Sequence, residues 1–502
     1  MSAEYELRLP EQTMRTLGYR VVDAIVEHLT GPGGGPVADR AAGDWAERLL
    51  TEPLPVAAHD PERLLEEALG LLRRGNAHPD HPRFLAFVPS PGTYAGVLAS
   101  ALATGFAVPT GWRLTGPVSS AVEVTAIRWL ARLMGLPEGT GGLLVPGGST
   151  ANLTALTVAR DEILGEEGIG EGTAYCSDQT HFSVPRALRL LGVGPRRVRC
   201  LPTGGSSRLD AVALAARVAA DRRAGLRPFA VIANAGTVST GAIDPLPELA
   251  ALCRAEGLWL HVDGAFGAAA ALTEEGRSLL GGLDLADSLT VDPHKWLFQP
   301  AELGCVLLRS PALLRRTFGI SLPPFLGPSG EHPDAETGTE TETGTGTGTG
   351  GGVDFLHFGI QQTREFKALR LWLSLKMFGS DAFVQAVGRG LANARELGRF
   401  IAAQPGVELV TPPSLAVLTF RCVPPDGYEV PESCVDLAAS DLANDGGAMV
   451  MPTTATGRRA FRICTVNPRT SPADLRDVVI RLRDLWRARA REAARKHSGG
   501  RA

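Results

Sequence analysis

A chain of 502 residues, 44% of them hydrophobic, carries more apolar material than one core can use, so two or three folded regions are expected. Its formal net charge of −4 excludes the overall basic footprint of a nucleic-acid binder. No uncharged apolar run reaches the roughly 18 residues of a membrane span, the first residues lack a secretory apolar segment, and the seven cysteines hold no C-x-x-C pair for a zinc site or redox couple; a soluble cytoplasmic protein with reduced thiols is expected, with no membrane or nucleic-acid partner.

Residues 11–30 put Met14, Leu17, Val21, Val22, Ile25 and Leu29 on one helical stripe, which the Gly/Pro stretch from Gly31 to Pro36 ends. A second helix is predicted over 61–74. This N-terminal arm, residues 1–75, is too thin to fold alone, so its stripe should pack on something larger, such as a second subunit.

Over residues 76–375 the pattern becomes α/β. Apolar runs at 142–145, 229–233, 258–262, 288–291 and 304–308 read as strands, and 121–134, 150–164, 208–224 and 246–256 as helices. Buried strands alternating with helices predict a mainly parallel central sheet covered on both faces. Residues 335–352 are a Gly/Thr low-complexity insert that cannot bury apolar area; a disordered loop is expected, either a lid or a neutral expansion. A helix is predicted over 364–378. Residues 376–490 read as a smaller α+β domain, with a helix at 384–404, strands at 407–410, 416–421 and 459–464, and a last helix at 473–491. The basic tail 491–502 reads as a solvated helix end.

Four segments carry chemistry, three of them at the carboxyl end of an expected strand, where open α/β sheets bind ligands. In Asp287-Ser-Leu-Thr-Val-Asp-Pro-His-Lys-Trp296, Lys295 follows a buried run. A lysine there keeps its charge only at a cost, and a neutral amine is what condensation with an aldehyde requires. In His261-Val-Asp-Gly-Ala-Phe-Gly267, Asp263 needs a cationic partner, and a protonated pyridine nitrogen would be one. Val145-Pro-Gly-Gly-Ser-Thr-Ala-Asn152 is a Gly-rich strand-to-helix turn suited to a phosphate, with Gly148 and Ser149 as donors. Ser177-Asp-Gln-Thr-His181 supplies His181, able to stack on a planar ring or handle a proton. A further turn, Asn234-Ala-Gly-Thr-Val-Ser-Thr-Gly241, places Thr237 at a strand end. Each signal alone has an ordinary structural explanation. Together they describe a site for pyridoxal 5′-phosphate (PLP).

In order and spacing these segments resemble the group II PLP-dependent amino-acid decarboxylases, which include the aromatic-L-amino-acid, tyrosine, glutamate and 2,4-diaminobutyrate decarboxylases. The likeness runs from about Glu11 to Leu485. It implies PLP fold type I, aspartate-aminotransferase-like, with the N-terminal arm clasped in a homodimer that shares its active sites. It implies an L-amino-acid substrate, converted to the amine and carbon dioxide through an external aldimine, and no metal. Carried over residue by residue, Lys295 is the Schiff-base lysine, Asp263 pairs the pyridine nitrogen, Ala265 packs against the ring and His181 stacks on it. Gly148, Ser149 and His294 hold the phosphate, Thr237 lies by the cofactor, Arg364 matches an arginine near the site, and Pro89 and Ser90 match the wall that contacts substrate.

The chain departs from that pattern at Phe325, where the loop of the aromatic decarboxylases carries a tyrosine that assists protonation at Cα. In relatives this exchange accompanies decarboxylation with oxidative deamination to an aldehyde. Val238 and Phe266 also stand where a threonine and a tyrosine are common. Two alternatives therefore stand beside simple decarboxylation: an aldehyde synthase, and a PLP-binding partner protein without catalysis.

Overall fold

Strands built from Val, Leu, Ile and Ala have two faces to hide, and seven of them do so in one sheet. They are β1 (Gly141–Val145), β2 (Gly172–Ser177), β3 (Val198–Leu201), β4 (Arg227–Asn234), β5 (Trp259–Asp263), β6 (Ser288–Val291) and β7 (Gly304–Leu308). The computed structural model describes residues 7–31, 35–38, 43–88, 90–165, 168–320, 353–424 and 430–499. Pro89, Phe325 and the insert at 335–352 lie outside them.

The sheet order is β1-β7-β6-β5-β4-β2-β3. β6, β5, β4, β2 and β3 are parallel neighbours, and β7 alone is reversed, antiparallel to both β1 and β6. The expected mainly parallel α/β sheet is therefore present, with one inverted strand. β4, β5 and β6 are buried almost throughout, which is why their apolar runs are continuous rather than alternating. β2 and β3 escaped the sequence reading. β2 (GTAYCS) is buried but rich in small polar residues, and β3 is an edge strand whose VRCL is only partly buried.

A second sheet, order β10-β11-β9-β8 and antiparallel throughout, is made of β8 (Val407–Leu409), β9 (Val417–Cys422), β10 (Met451–Ala455) and β11 (Arg458–Cys464). Helices Ser433–Asn444 and Pro472–Gly499 pack with it around a second core that holds Phe420, Phe461, Leu442 and Trp486. β10 was not anticipated. It contains Pro452 and sits at the sheet edge, the one place a strand tolerates a missing N–H.

The helix expected over 364–378 starts later. It spans Ala368–Ala403 and is broken only at Gly379, whose φ of 74° is left-handed. Arg364 precedes it, in a bridge to Thr110. In the N-terminal arm, helices Glu11–Thr30 and Pro61–Arg73 lie together, joined by Arg20 Nε to Glu66 Oε1 at 2.6 Å. The apolar stripe of the first stays open: Met14 is 45% and Val22 42% exposed.

Candidate active site

β1 and β6 both run opposite to β7, so β1 points the same way as β6, β5, β4 and β2, and their carboxyl ends share one edge. At that edge lies a cavity of about 500 Å3, lined by Gly147, Gly148, Ser149, His181, Asp263, Ala265, His294 and Lys295 among others. Segments spread over about 150 residues are brought together by topology alone.

The Gly-rich turn leaves β1 and enters helix Gly148–Leu164. At Gly148 a Cβ would meet Asp292 Oδ2 at 2.8 Å, so only glycine lets this backbone approach so closely. The first amides of the helix are then open to an anion. His294 is fixed by its ring: Nδ1 donates to the carbonyl of Leu303 at 2.7 Å.

Asp263 ends β5, in register with Asn234 of β4 and Thr290 of β6. Its Oδ2 accepts from Asn152 Nδ2 at 2.9 Å and its Oδ1 from the Ala265 amide at 3.2 Å. Lys295 Nζ lies 2.9 Å from Asp292 Oδ2, an ion pair across one turn. Asp292 is nearly fully buried and its Oδ1 has no hydrogen-bond partner among the described residues. His181 lines the same cavity, its Nδ1 2.8 Å from Ser183 Oγ. Burial pushes its imidazole below the ordinary histidine range, against the opposing pull of Asp263.

A glycine cradle with open amides, an amine, a buried carboxylate and an imidazole around one slot are the donor set that PLP requires, and the residues fit it. The model of the pyridoxal-dependent decarboxylase conserved domain matches residues 45–423. The chain belongs to the pyridoxal-dependent decarboxylase family. It is a PLP-dependent carboxy-lyase acting on an amino acid.

This decarboxylase is 40% identical over 482 residues to an aromatic-L-amino-acid decarboxylase of Bacillus atrophaeus, which covers 95% of this chain and 96% of the relative. It is 28% identical to a phenylacetaldehyde synthase of Arabidopsis thaliana, over 91% of this chain and 92% of that one. Its fold matches a crystal structure of Oryza sativa TDC with PLP and tryptamine, with a TM-score of 0.87 at 24% identity over 97% of this chain and 100% of that one.

Not every residue expected at the site is there. Arg364 does not line the cavity: its guanidinium is 3% exposed and committed to Glu123, at 2.5 and 3.0 Å, and to the Leu144 carbonyl at 2.7 Å. It therefore braces β1 from behind, with its hydrogen bonds to Glu123 and Leu144 directed away from the cavity it does not line. Thr237 is turned away as well. Its hydroxyl meets Thr240 Oγ1 at 2.9 Å and accepts from the Ala242 amide, while its neighbours Gly236 and Val238 line the cavity. Ser90 lies two residues beyond the wall residue Val88, with Oγ 3.5 Å from the Pro91 carbonyl. Pro89 and Phe325 fall outside the described residues.

Other residues were missed. Asn152, Ser183 and Asp292 line the cavity, and all three lie in or beside the motifs already singled out. Arg462 of β11 reaches across from the second sheet and donates to the carbonyls of Phe87 and Val238, both at 2.5 Å. It thereby ties together two walls of the cavity, and no local sequence signal marks it.

Proposed function

We propose that the enzyme decarboxylates aromatic L-amino acids to the corresponding amines, as a cytoplasmic homodimer. One observation carries the reading: Lys295, Asp263, His181 and the Gly147–Ser149 turn all open onto a single cavity. The names of the relatives, and the apolar wall of Val88, Val238 and Phe266, favour an aromatic side chain.

Lys295 Nζ would hold the cofactor aldehyde, and Gly148, Ser149 and His294 would hold its phosphate; all four line the cavity. Asp263, kept in position by Asn152 and the Ala265 amide, would hold a proton on the pyridine nitrogen. Bound PLP supplies an electron sink for the pair left on Cα as carbon dioxide departs. His181 and Ala265, both lining the cavity, would hold the ring. The Lys295 amine, which opens onto the cavity beside Asp292, would be a group able to carry a proton at the reacting carbon.

Phe325 favours a second reading, the aldehyde synthase. There one oxygen and one water are consumed per amino acid, and aldehyde, carbon dioxide, ammonia and hydrogen peroxide leave in equal amounts. Incubating PLP-loaded protein with L-tyrosine, L-tryptophan, L-phenylalanine and L-glutamate separates the two. Amine equal to carbon dioxide from an aromatic substrate is the expected result. Ammonia and peroxide equal to carbon dioxide overturn it, and turnover of L-glutamate alone overturns the aromatic assignment. The open stripe of helix Glu11–Thr30 supports the dimer, and sedimentation equilibrium at the monomer mass would refute it.

A further inference from the structure

Behind the cavity runs a chain of buried hydrogen bonds that enters and leaves the site through one amide. Trp259 Nε1 lies 2.8 Å from Ser288 Oγ, and Ser288 Oγ lies 2.8 Å from His261 Nδ1. His261 Nε2 is 3.0 Å from Asn152 Oδ1, which Thr290 Oγ1 also reaches at 2.6 Å. Asn152 Nδ2 then divides, reaching Asp263 Oδ2 at 2.9 Å and Ser183 Oγ at 3.0 Å. Ser183 Oγ lies 2.8 Å from His181 Nδ1.

The donors at fixed points set the direction of every link. An indole N–H only donates, so Ser288 accepts from Trp259, and its own proton goes to His261 Nδ1, which is left bare because Nε2 must donate to the Asn152 carbonyl. His261 is wholly buried, and burial brings it down to about 4, so it is neutral and its one proton sits on Nε2, facing Asn152 Oδ1. An ionised carboxylate only accepts, so Asn152 must turn Nδ2 toward Asp263, and its second Nδ2 hydrogen goes to Ser183. Ser183 is left with its hydroxyl proton for His181 Nδ1. The Ser183 backbone amide points at the same nitrogen from 3.3 Å, and two N–H groups cannot face each other.

We infer that Asn152 and Ser183 are positioning residues that lock His181 as the tautomer with its proton on Nε2, and so present a hydrogen-bond donor, not a base, to the cavity. The inference rests on reading His181 as the imidazole beside the cofactor ring. The same amide holds Asp263, so the two groups expected on opposite sides of the chemistry share one support. The charged groups facing His181 are Asp263, Lys295, Asp292 and Arg186.

The test is a two-bond proton–nitrogen correlation spectrum of the PLP-loaded protein labelled with 15N-histidine, with His181→Gln assigning the signal. The wild type should show the Nε2–H tautomer at neutral pH. In Asn152→Asp the carboxylate at position 152 draws the Ser183 hydroxyl proton away from His181, and in Ser183→Ala that hydroxyl is gone. Both variants should show a mixture of tautomers, and turnover reduced about tenfold or more. An Nδ1–H signal in the wild type overturns the inference, and so does an unchanged tautomer in both variants. The spectrum is read without turnover, so a protein that decarboxylates nothing yet shows the locked tautomer would sink the functional reading and leave this one standing.

Discussion

The Arg364 guanidinium and the Glu123 carboxylate form a two-point ion pair, both side chains at most 3% exposed, directly behind the strand that leads into the glycine turn. Glu123 Oε1 also accepts from the Leu144 amide, and Arg364 donates to the Leu144 carbonyl. The pair thus satisfies both backbone groups of a residue one position from the end of β1. Its work is to hold the glycine turn at a fixed height above the sheet.

Removing one partner of such a pair leaves a buried charge. Glu123→Gln should therefore cost about 3–5 kcal/mol in urea-unfolding free energy. Arg364→Lys should be destabilised in the same direction, and the enzyme that still folds should keep its KM for the amino acid. A large rise in KM with unchanged stability would return Arg364 to the substrate.

Lys295→Ala should remove the visible absorption of the bound cofactor that borohydride abolishes, and lower turnover by several orders of magnitude with folding intact. Absorbance, circular dichroism and product assay on one preparation decide it. Near-normal turnover would mean that a different amine serves.

His261 makes stability depend on pH. An unfolded imidazole takes a proton near 6.5, and the buried one only near 4. Between those values the unfolded chain binds more protons, so the contribution of the neutral ring is complete above 6.5 and is lost as pH falls toward 4. The stability gap between the wild type and His261→Gln should narrow by about 3 kcal/mol across that window, measured by urea melts at stepped pH. A constant gap would show that the ring is not held neutral.

Cys176 and Cys200 are opposite partners on β2 and β3, with their sulfurs 3.7 Å apart. The hydrogen bond from Cys176 brings the partly exposed Cys200 thiol down to about 7, while burial holds Cys253 and Cys422 up near 12. Iodoacetamide at neutral pH should label Cys200 first, and Cys176→Ala, which removes the donor, should slow that labelling. Peptide mass mapping that finds Cys253 or Cys422 modified earlier would contradict this.

The sequence alone determined the strands that are buried on both faces, because an unbroken apolar run needs no partner to be recognised. β6 and β7 were read to the residue as 288–291 and 304–308. It also determined the chemistry of the cavity at Lys295, Asp263, His181 and Gly148, since an amine, a carboxylate or a missing Cβ is a property of the residue itself. Tertiary structure decided everything that depends on a partner distant in the chain. Arg364 and Thr237 carried the right chemistry but spend their polar atoms on Glu123, Leu144, Thr240 and Ala242. Asn152 looked like one more residue of a turn until His261, Asp263 and Ser183, up to 111 residues away, converged on its amide. A hydrogen bond is directional and short-ranged, so which donor meets which acceptor is fixed only when the sheet has brought its strand ends together.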